Sequence, residues 1–282
     1  MKVISTEYSQ MLAARIAKQG SMDIVEVKFS RFPDGEHYLR TGPVDKDMVV
    51  VGSVVNSDSL VQLLLLIDAC SGSRLTLLLP YMGYARQDKQ FHQGEPLSAR
   101  AVARVLSLGV SRVIAVNVHD PGVLSHFLVP AVNLSLAPDI GMYLSATGHT
   151  DPLILAPDDG AAGFASVVAA AGAWECDYLE KTRISGDEVR FEPKTLCAEG
   201  RDVVIVDDII STGGTLATAT RLLYEQGART VAAACVHGIF AGGAFSHLIA
   251  SGIREVFASD TIECGCSVYS AAGTVVSGLT RC

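Results

Sequence analysis

Four apolar β-branched residues, Val203-Val204-Ile205-Val206, run directly into Asp207-Asp208, and then through Ile209-Ile210 to Ser211-Thr212-Gly213-Gly214-Thr215. An apolar run without polar alternation is the pattern of a parallel strand covered on both faces. Residues 215–223, Thr-Leu-Ala-Thr-Ala-Thr-Arg-Leu-Leu, begin a helical pattern, so the segment predicts strand, turn and helix. The same grammar recurs upstream. Residues 48–55 and 75–79 predict buried strands, and residues 61–69 and 97–108 predict helices between strands. Alternating strand and helix patterns imply parallel sheets wound with helices on both faces.

Two stretches echo each other. Gly109 is followed by an apolar strand and by His119, and Gly227 by an apolar strand and by His237, each histidine ten residues after its glycine. The echo predicts an α/β fold of two similar doubly wound parallel-sheet domains, although convergent helix-glycine-strand punctuation produces the same pattern. A stretch rich in Gly, Thr and Ser at residues 143–152 sets the expected boundary, giving domains 1–145 and 146–282.

Composition narrows the class. A chain of 282 residues that is 49% hydrophobic has ample core and is not disordered. No window approaches the roughly 18 apolar residues of a membrane span, and the first residues, Met-Lys-Val-Ile-Ser-Thr-Glu, do not read as a signal region. The expected location is therefore cytoplasmic, with no membrane partner. Seven cysteines, at 70, 176, 197, 235, 264, 266 and 282, form no Cys-x-x-Cys pair and are expected to be reduced and mostly buried. A net charge of −8 argues against nucleic acid as a partner. An anionic substrate then needs a local basic cluster.

The turn after residues 203–206 is suited to such an anion. Backbone N–H groups of residues 212–215 open a helix, whose free donors and positive dipole end bind phosphate. Gly213 and Gly214 allow close backbone approach, while Ser211, Thr212 and Thr215 add hydroxyl donors. No lysine follows the glycines, which excludes the nucleotide P-loop. The adjacent carboxylates Asp207 and Asp208 suit vicinal ribose hydroxyls, directly or through Mg²⁺. The plainer reading is an Asp-rich strand end followed by an ordinary helix cap. The whole segment resembles the phosphoribosyl-pyrophosphate-binding signature shared by type I phosphoribosyltransferases and phosphoribosyl pyrophosphate synthetases.

A transferase of the first kind needs a single α/β domain, so the N-terminal half requires its own account. Pro80-Tyr81-Met82-Gly83-Tyr84-Ala85-Arg86-Gln87-Asp88-Lys89-Gln90 follows a predicted strand, and ligands bind outside the carboxyl ends of parallel strands. Arg86 and Lys89 can hold polyphosphate, one as a bidentate fork and the other as a point charge. This segment resembles the ATP-binding segment of the synthetases, in which Arg86, Gln87 and Asp88 would bind the nucleotide. Arg31-Phe32-Pro33-Asp34-Gly35-Glu36 resembles their adenine-binding loop, which implies nucleotide contacts for Phe32, Asp34, Gly35 and Glu36. Val118-His119-Asp120 and Ala156-Pro157-Asp158-Asp159-Gly160 resemble the two metal-binding loops, with His119 and Asp158 as implied ligands. Lys181-Thr182-Arg183 resembles the catalytic Lys-x-Arg, with Arg183 also touching substrate. Departures occur at Asn117, at Gly160-Ala161-Ala162-Gly163 and at Ser211, and with the short chain they look like archaeal-type members. His92, His149, Asp159 and His237 match no motif.

The resemblance implies transfer of the diphosphoryl group of ATP to the 1-hydroxyl of ribose 5-phosphate with Mg²⁺. ATP would be bound by the first half and the sugar by the second, with Asp207 and Asp208 on the ribose hydroxyls and residues 211–215 on the 5-phosphate. Because Asp34 and Glu36 reach a neighbouring subunit's ATP in the resembled family, it also implies a homodimer or higher homo-oligomer with sites at subunit interfaces. The rival readings are a phosphoribosyltransferase and a non-catalytic regulatory paralogue.

Overall fold

The unalternated apolar runs form the middle strands of two all-parallel sheets. The computed structural model describes residues 1–90, 92–183, 189–191 and 196–281, with residues 181–183, 189–191 and 281 described by backbone alone. Two units divide the chain: Met1–Ser135 with Asp260–Glu263 and Ser270–Cys282, and Leu136–Ser259 with Cys264–Tyr269.

Unit 1 runs β1 (Lys2–Ser5), α1 (Gln10–Gln19), β2 (Asp23–Ile24), β3 (Val27–Arg31), β4 (His37–Thr41), β5 (Asp47–Val51), α2 (Ser57–Ala69), β6 (Arg74–Leu79), α3 (Ser98–Leu106), β7 (Arg112–Val116) and β8 (Ala131–Leu134). Its sheet has the order β2-β1-β5-β6-β7-β8, and β3 and β4 form a separate antiparallel hairpin. The predicted strand 48–55 stops at Val51, and the predicted helix 61–69 starts earlier, at Ser57. Asn56 causes the early start: its side chain accepts from the Ser59 N–H in a capping box. Val50, Leu63, Leu66, Leu77, Ala103 and Leu106 belong to one buried cluster, and each large side chain there stabilises the unit by about 1.5–3 kcal/mol.

Unit 2 runs α4 (Ala137–Ala146), β9 (Leu153–Ala156), α5 (Ala162–Ala170), β10 (Cys176–Tyr178), β11 (Lys181–Arg183), β12 (Val189–Phe191), β13 (Asp202–Ile210), α6 (Gly214–Glu225), β14 (Thr230–Gly238), α7 (Ala244–Ala250), β15 (Val256–Ser259) and β16 (Ser267–Tyr269). The sheet order is β10-β9-β13-β14-β15-β16, with β11 and β12 as a separate antiparallel hairpin. Counted along the chain, both sheets read second, first, third, fourth, fifth, sixth, with a hairpin between the second and third strands. The duplication is therefore topological. It pairs β6 with β14 and β7 with β15, so the echo of Gly109…His119 with Gly227…His237 matched strands that are not counterparts.

The units do not change over at residue 145. α4 belongs to unit 2, where it packs on α5. Gly141 makes this possible, since a Cβ there would fall 2.5 Å from the Val168 carbonyl oxygen. The last helix, α8 (Ala272–Arg281), belongs to unit 1 and packs on α1. Asp260, 3% exposed, accepts from the Ala271 N–H at 2.8 Å and from Arg15 of α1 at 2.7 Å, which ties the start of that segment to α1.

Candidate active site

In unit 2 the strand order reverses between β9 and β13, and in open α/β sheets ligands bind at the carboxyl ends of strands at such a point. β13 pairs with β9 only over Val203, Val204 and Ile205, yet stays paired with β14 through Ile210. Asp207 and Asp208 thus run past the end of β9. They do not end the strand, as the sequence pattern suggested; Ile209 and Ile210 extend it. Both carboxylates are half-buried, and the Asp208 N–H donates to Asp207 Oδ1 at 2.9 Å. Burial first, then the charges of Asp208 and Asp158, push the Asp207 carboxyl well above the ordinary carboxylate range. Asp158 follows β9 and accepts from the Ala161 N–H at 3.2 Å. Three acids of unit 2 therefore share one field.

The turn that follows opens α6 without a side-chain cap. Gly213, in the left-handed region at φ 75°, is the N-cap, and a Cβ there would press on Leu248 at 3.0 Å. At Gly214 the space where a Cβ would project is open to 4 Å. The first amide N–H groups of a helix have no intrahelical acceptor, so this uncapped, unobstructed start has donors to offer an anion beside the carboxylates. Ser211 and Thr215 are half-buried and Thr212 is exposed. The counterpart of β13 in unit 1, β5, ends at Val51 and is followed by Gly52-Ser53, with no carboxylate there.

In unit 1 the segment after β6 is anchored at both ends. The Gly83 N–H donates to the Val54 carbonyl at 2.9 Å, and the Tyr84 hydroxyl lies 2.8 Å from Ser57 Oγ. Gln87 accepts the Ser98 hydroxyl on its side chain and the Ala99 N–H, at 3.2 Å, on its carbonyl. It is therefore tied to the start of α3, while Arg86 is exposed. Asp88 sits 3.8 Å from Lys89 Nζ. Asp120, in the next strand-end loop, accepts from the Gly122 N–H at 2.7 Å. That hydrogen bond, then a contact with Asp88 and the charges of Lys89 and His119, hold its carboxyl below the usual range. The structure thus brings Asp88, Lys89, His119 and Asp120 together. Asp120 had no role in the sequence reading, which offered no signal for it beyond its place beside His119.

Phe32, Asp34, Gly35 and Glu36 form the exposed tip of the β3–β4 hairpin, with Gly35 at φ 96° and Phe32 edge-on to Tyr38 at 5.5 Å. Asp58 of α2 holds the strand ends that carry this tip, accepting from Arg31 at 2.6 Å and standing 3.7 Å from His37 Nε2. The sequence pattern missed Asp58, which reads as an ordinary first-turn acid. Lys181 and Arg183 lie in β11, and their side chains are outside the described residues. His119 falls in unit 1 and Asp158 in unit 2. Among the described residues no group of three or more His, Cys, Asp or Glu side chains is arranged to hold a metal ion. His237 is buried within β14, while His92 and Asp159 are exposed. A groove of about 520 Å³ in unit 2, lined by His149, Asp202, Arg229, Arg254 and neighbours, opens at the amino ends of β13, β14 and β15. It is at the opposite end from Asp207. No helix among the described residues is long and apolar enough to cross a membrane.

Two units of one parallel α/β topology, the second with a glycine-opened helix beside paired carboxylates, define a duplicated fold of the phosphoribosyltransferase type. A family model described as the N-terminal domain of ribose phosphate pyrophosphokinase matches residues 1–108, and the phosphoribosyl transferase domain matches residues 140–257. A ribose-phosphate pyrophosphokinase of Methanosarcina acetivorans is 43% identical over 100% of both chains. Ribose-phosphate pyrophosphokinase 2 of Archaeoglobus fulgidus is 41% identical over 99% of this chain and 100% of its own. The crystal structure of phosphoribosylpyrophosphate synthetase from Mycobacterium smegmatis superposes with a TM-score of 0.86 at 28% identity, covering 99% of this chain and 97% of that one. The chain belongs to the ribose-phosphate pyrophosphokinase family.

Proposed function

We propose that the chain transfers the β,γ-diphosphoryl group of ATP to the 1-hydroxyl of ribose 5-phosphate, releasing AMP and 5-phosphoribosyl 1-pyrophosphate. The observation that carries the residue assignment is the pair Asp207 and Asp208 running past β9 into the uncapped start of α6. Asp207 and Asp208 hold the ribose hydroxyls, and residues 211–215 hold the 5-phosphate. Phe32, Asp34, Gly35 and Glu36 receive the adenine, while Arg86, Gln87 and Asp88 bind the rest of the nucleotide. Lys181 and Arg183 stabilise the charge that develops on the transferring group and on departing AMP. The nucleophile is the sugar hydroxyl itself, so the protein contributes position and electrostatics rather than a covalent intermediate.

A divalent cation fits this donor set. Mg²⁺ is commonly held by one or two protein groups together with substrate phosphates, and the mutual repulsion of Asp158, Asp207 and Asp208 is a field that a cation relieves. We assign His119 and Asp158 as its protein ligands. Bound there, it would neutralise phosphate charge during transfer. The expected setting is a homo-oligomer in the cytoplasm.

A phosphoribosyltransferase has no use for the loop of Arg86, Gln87 and Asp88, and a non-catalytic paralogue has no need to keep Lys181 and Arg183. Assay of AMP release from ATP and Mg²⁺, with and without ribose 5-phosphate, tests the reading. AMP should form only with the sugar present. Absence of AMP under both conditions would overturn it.

A further inference from the structure

We propose that Cys264 and Cys266, in the loop between β15 and β16, are a thiol pair that closes reversibly into a disulfide. Their sulfurs are 3.3 Å apart. A turn makes the approach: the Ser267 N–H donates to the Cys264 carbonyl at 3.0 Å, and Ser267 Oγ accepts from the Cys264 N–H at 3.0 Å. That hydroxyl in turn donates to the Ser259 carbonyl at 3.0 Å, and the Cys266 carbonyl accepts from the Ala258 N–H at 2.9 Å, which fastens the turn to β15. A disulfide needs the sulfurs roughly 2.05 Å apart, so closure asks for an approach of roughly 1.3 Å. Gly265 between them is exposed, with open space where a Cβ would project, so the corner has room to adjust.

Among the described cysteines the alternatives are less suited. Cys70 and Cys235 are fully buried, and Cys176 and Cys197 are exposed. Cys264 and Cys266 are half-buried, within reach of a small oxidant yet already in contact. The ring that closes spans only three residues, so the bond would remove little entropy from the unfolded chain and would act as a reversible modification, not as a staple. With a small-molecule disulfide such as oxidised glutathione the step balances. One cysteine thiolate attacks a glutathione sulfur, breaking the glutathione S–S bond to form a mixed disulfide and release one glutathione thiolate. The second thiolate displaces the other, so two electrons pass from the protein to glutathione, and each protein proton ends on a glutathione sulfur or in solvent that protonates it. Contact with Cys264, and then burial, push the Cys266 thiol upward.

The test uses the full native chain equilibrated with equal concentrations of reduced and oxidised glutathione, then quenched in acid, alkylated and digested for mass spectrometry. The peptide containing Cys264 and Cys266 should lose two hydrogens and resist alkylation, and dithiothreitol should reverse both effects. Cys264→Ser and Cys266→Ser should each abolish the closed form and carry glutathione on the remaining cysteine. Alkylation of both thiols as freely as in the reduced protein would overturn the proposal, as would closure found only after unfolding in urea. Catalytic activity is not the readout, so failure here is distinct from failure of the proposed reaction.

Discussion

A methyl group on Gly83 would lie 2.2 Å from the carbonyl oxygen of Val54, the same oxygen to which the Gly83 N–H donates. The loop after β6 therefore runs against the loop after β5, and only the missing side chain permits it. Gly83→Ala should displace residues 84–88 and destabilise unit 1 by about 1–3 kcal/mol, the range for overpacking a dense site. With Arg86, Gln87 and Asp88 assigned to the nucleotide, the Michaelis constant for ATP should rise while that for ribose 5-phosphate holds. Thermal melting and steady-state kinetics of the variant check both parts; an unchanged melting temperature would mean that the two loops part without cost.

Asp207→Asn should weaken sugar binding and stabilise the ligand-free protein at once. Its carboxyl is raised by burial and by Asp208 and Asp158, so the folded state holds a proton that the unfolded state gives up. Stability from this group is present at acid pH and declines as pH rises above the unfolded value of about 4. An amide removes the repulsion and keeps an oxygen for the Asp208 N–H. Melting without Mg²⁺ should therefore show the variant gaining on the wild type as pH rises from acid to neutral. Kinetics should show a higher Michaelis constant for ribose 5-phosphate with that for ATP unchanged. Loss of ATP binding with sugar binding intact would assign this carboxylate to the nucleotide instead.

The opposite sign applies at Asp202, at the other end of β13. Arg229, first, and then Thr230 hold its carboxyl down at about 2, through contacts of 2.9 Å and 2.5 Å to the guanidinium and 2.6 Å to the hydroxyl. The contribution is complete above the unfolded value of about 4 and is lost as pH falls towards about 2. Solvent screens a pair this exposed, so the effect is modest. Asp202→Asn should lower the urea midpoint at pH near 6 and bring the two proteins together in strong acid. A constant gap between them across that range would exclude the pair as its source.

The parts of the site that sequence could show are those where chemistry and chain order coincide. Residues 203–215 announce themselves because a buried strand, two acids and a glycine-opened helix are contiguous, and the structure sets them at the reversal of the sheet. Motif order likewise exposed both halves of the duplicated fold. What stayed hidden depends on partners far apart in the chain. Asp58 supports the hairpin through Arg31 and His37, 27 and 21 residues away, and nothing local marks it. The exchange of α4 and α8 between units is set by packing against α5 and α1, as at Gly141, not by any break in composition. The echo of Gly109 with Gly227 misled for a related reason: glycine after a helix and before a strand punctuates every crossover of this kind, so resemblance between two crossovers does not fix which strands correspond.

The exposed hairpin tip leads to the last prediction. Asp34 and Glu36 lie in solvent at the end of β3–β4, and Phe32 beside them is 49% exposed, a large apolar ring left uncovered within its own unit. If these side chains receive the adenine of a neighbouring subunit's ATP, activity requires assembly and should fall on dilution as subunits separate. Subunit mixing separates this arrangement from one confined to a single chain. Lys181→Ala should cut turnover by roughly two to three decades, the usual cost of one transition-state contact of ~3–4 kcal/mol, and Asp34→Ala with Glu36→Ala should disable the other partner of the site. Mixed under conditions that exchange subunits, a hybrid dimer would contain one site with both defects and one with neither, so about half the wild-type activity per hybrid should return. Recovery measured against the fraction of hybrids, counted by native mass spectrometry, gives the answer. No recovery despite demonstrated hybrids would mean that the hairpin acts within its own chain's site, or that the two sites cannot work independently.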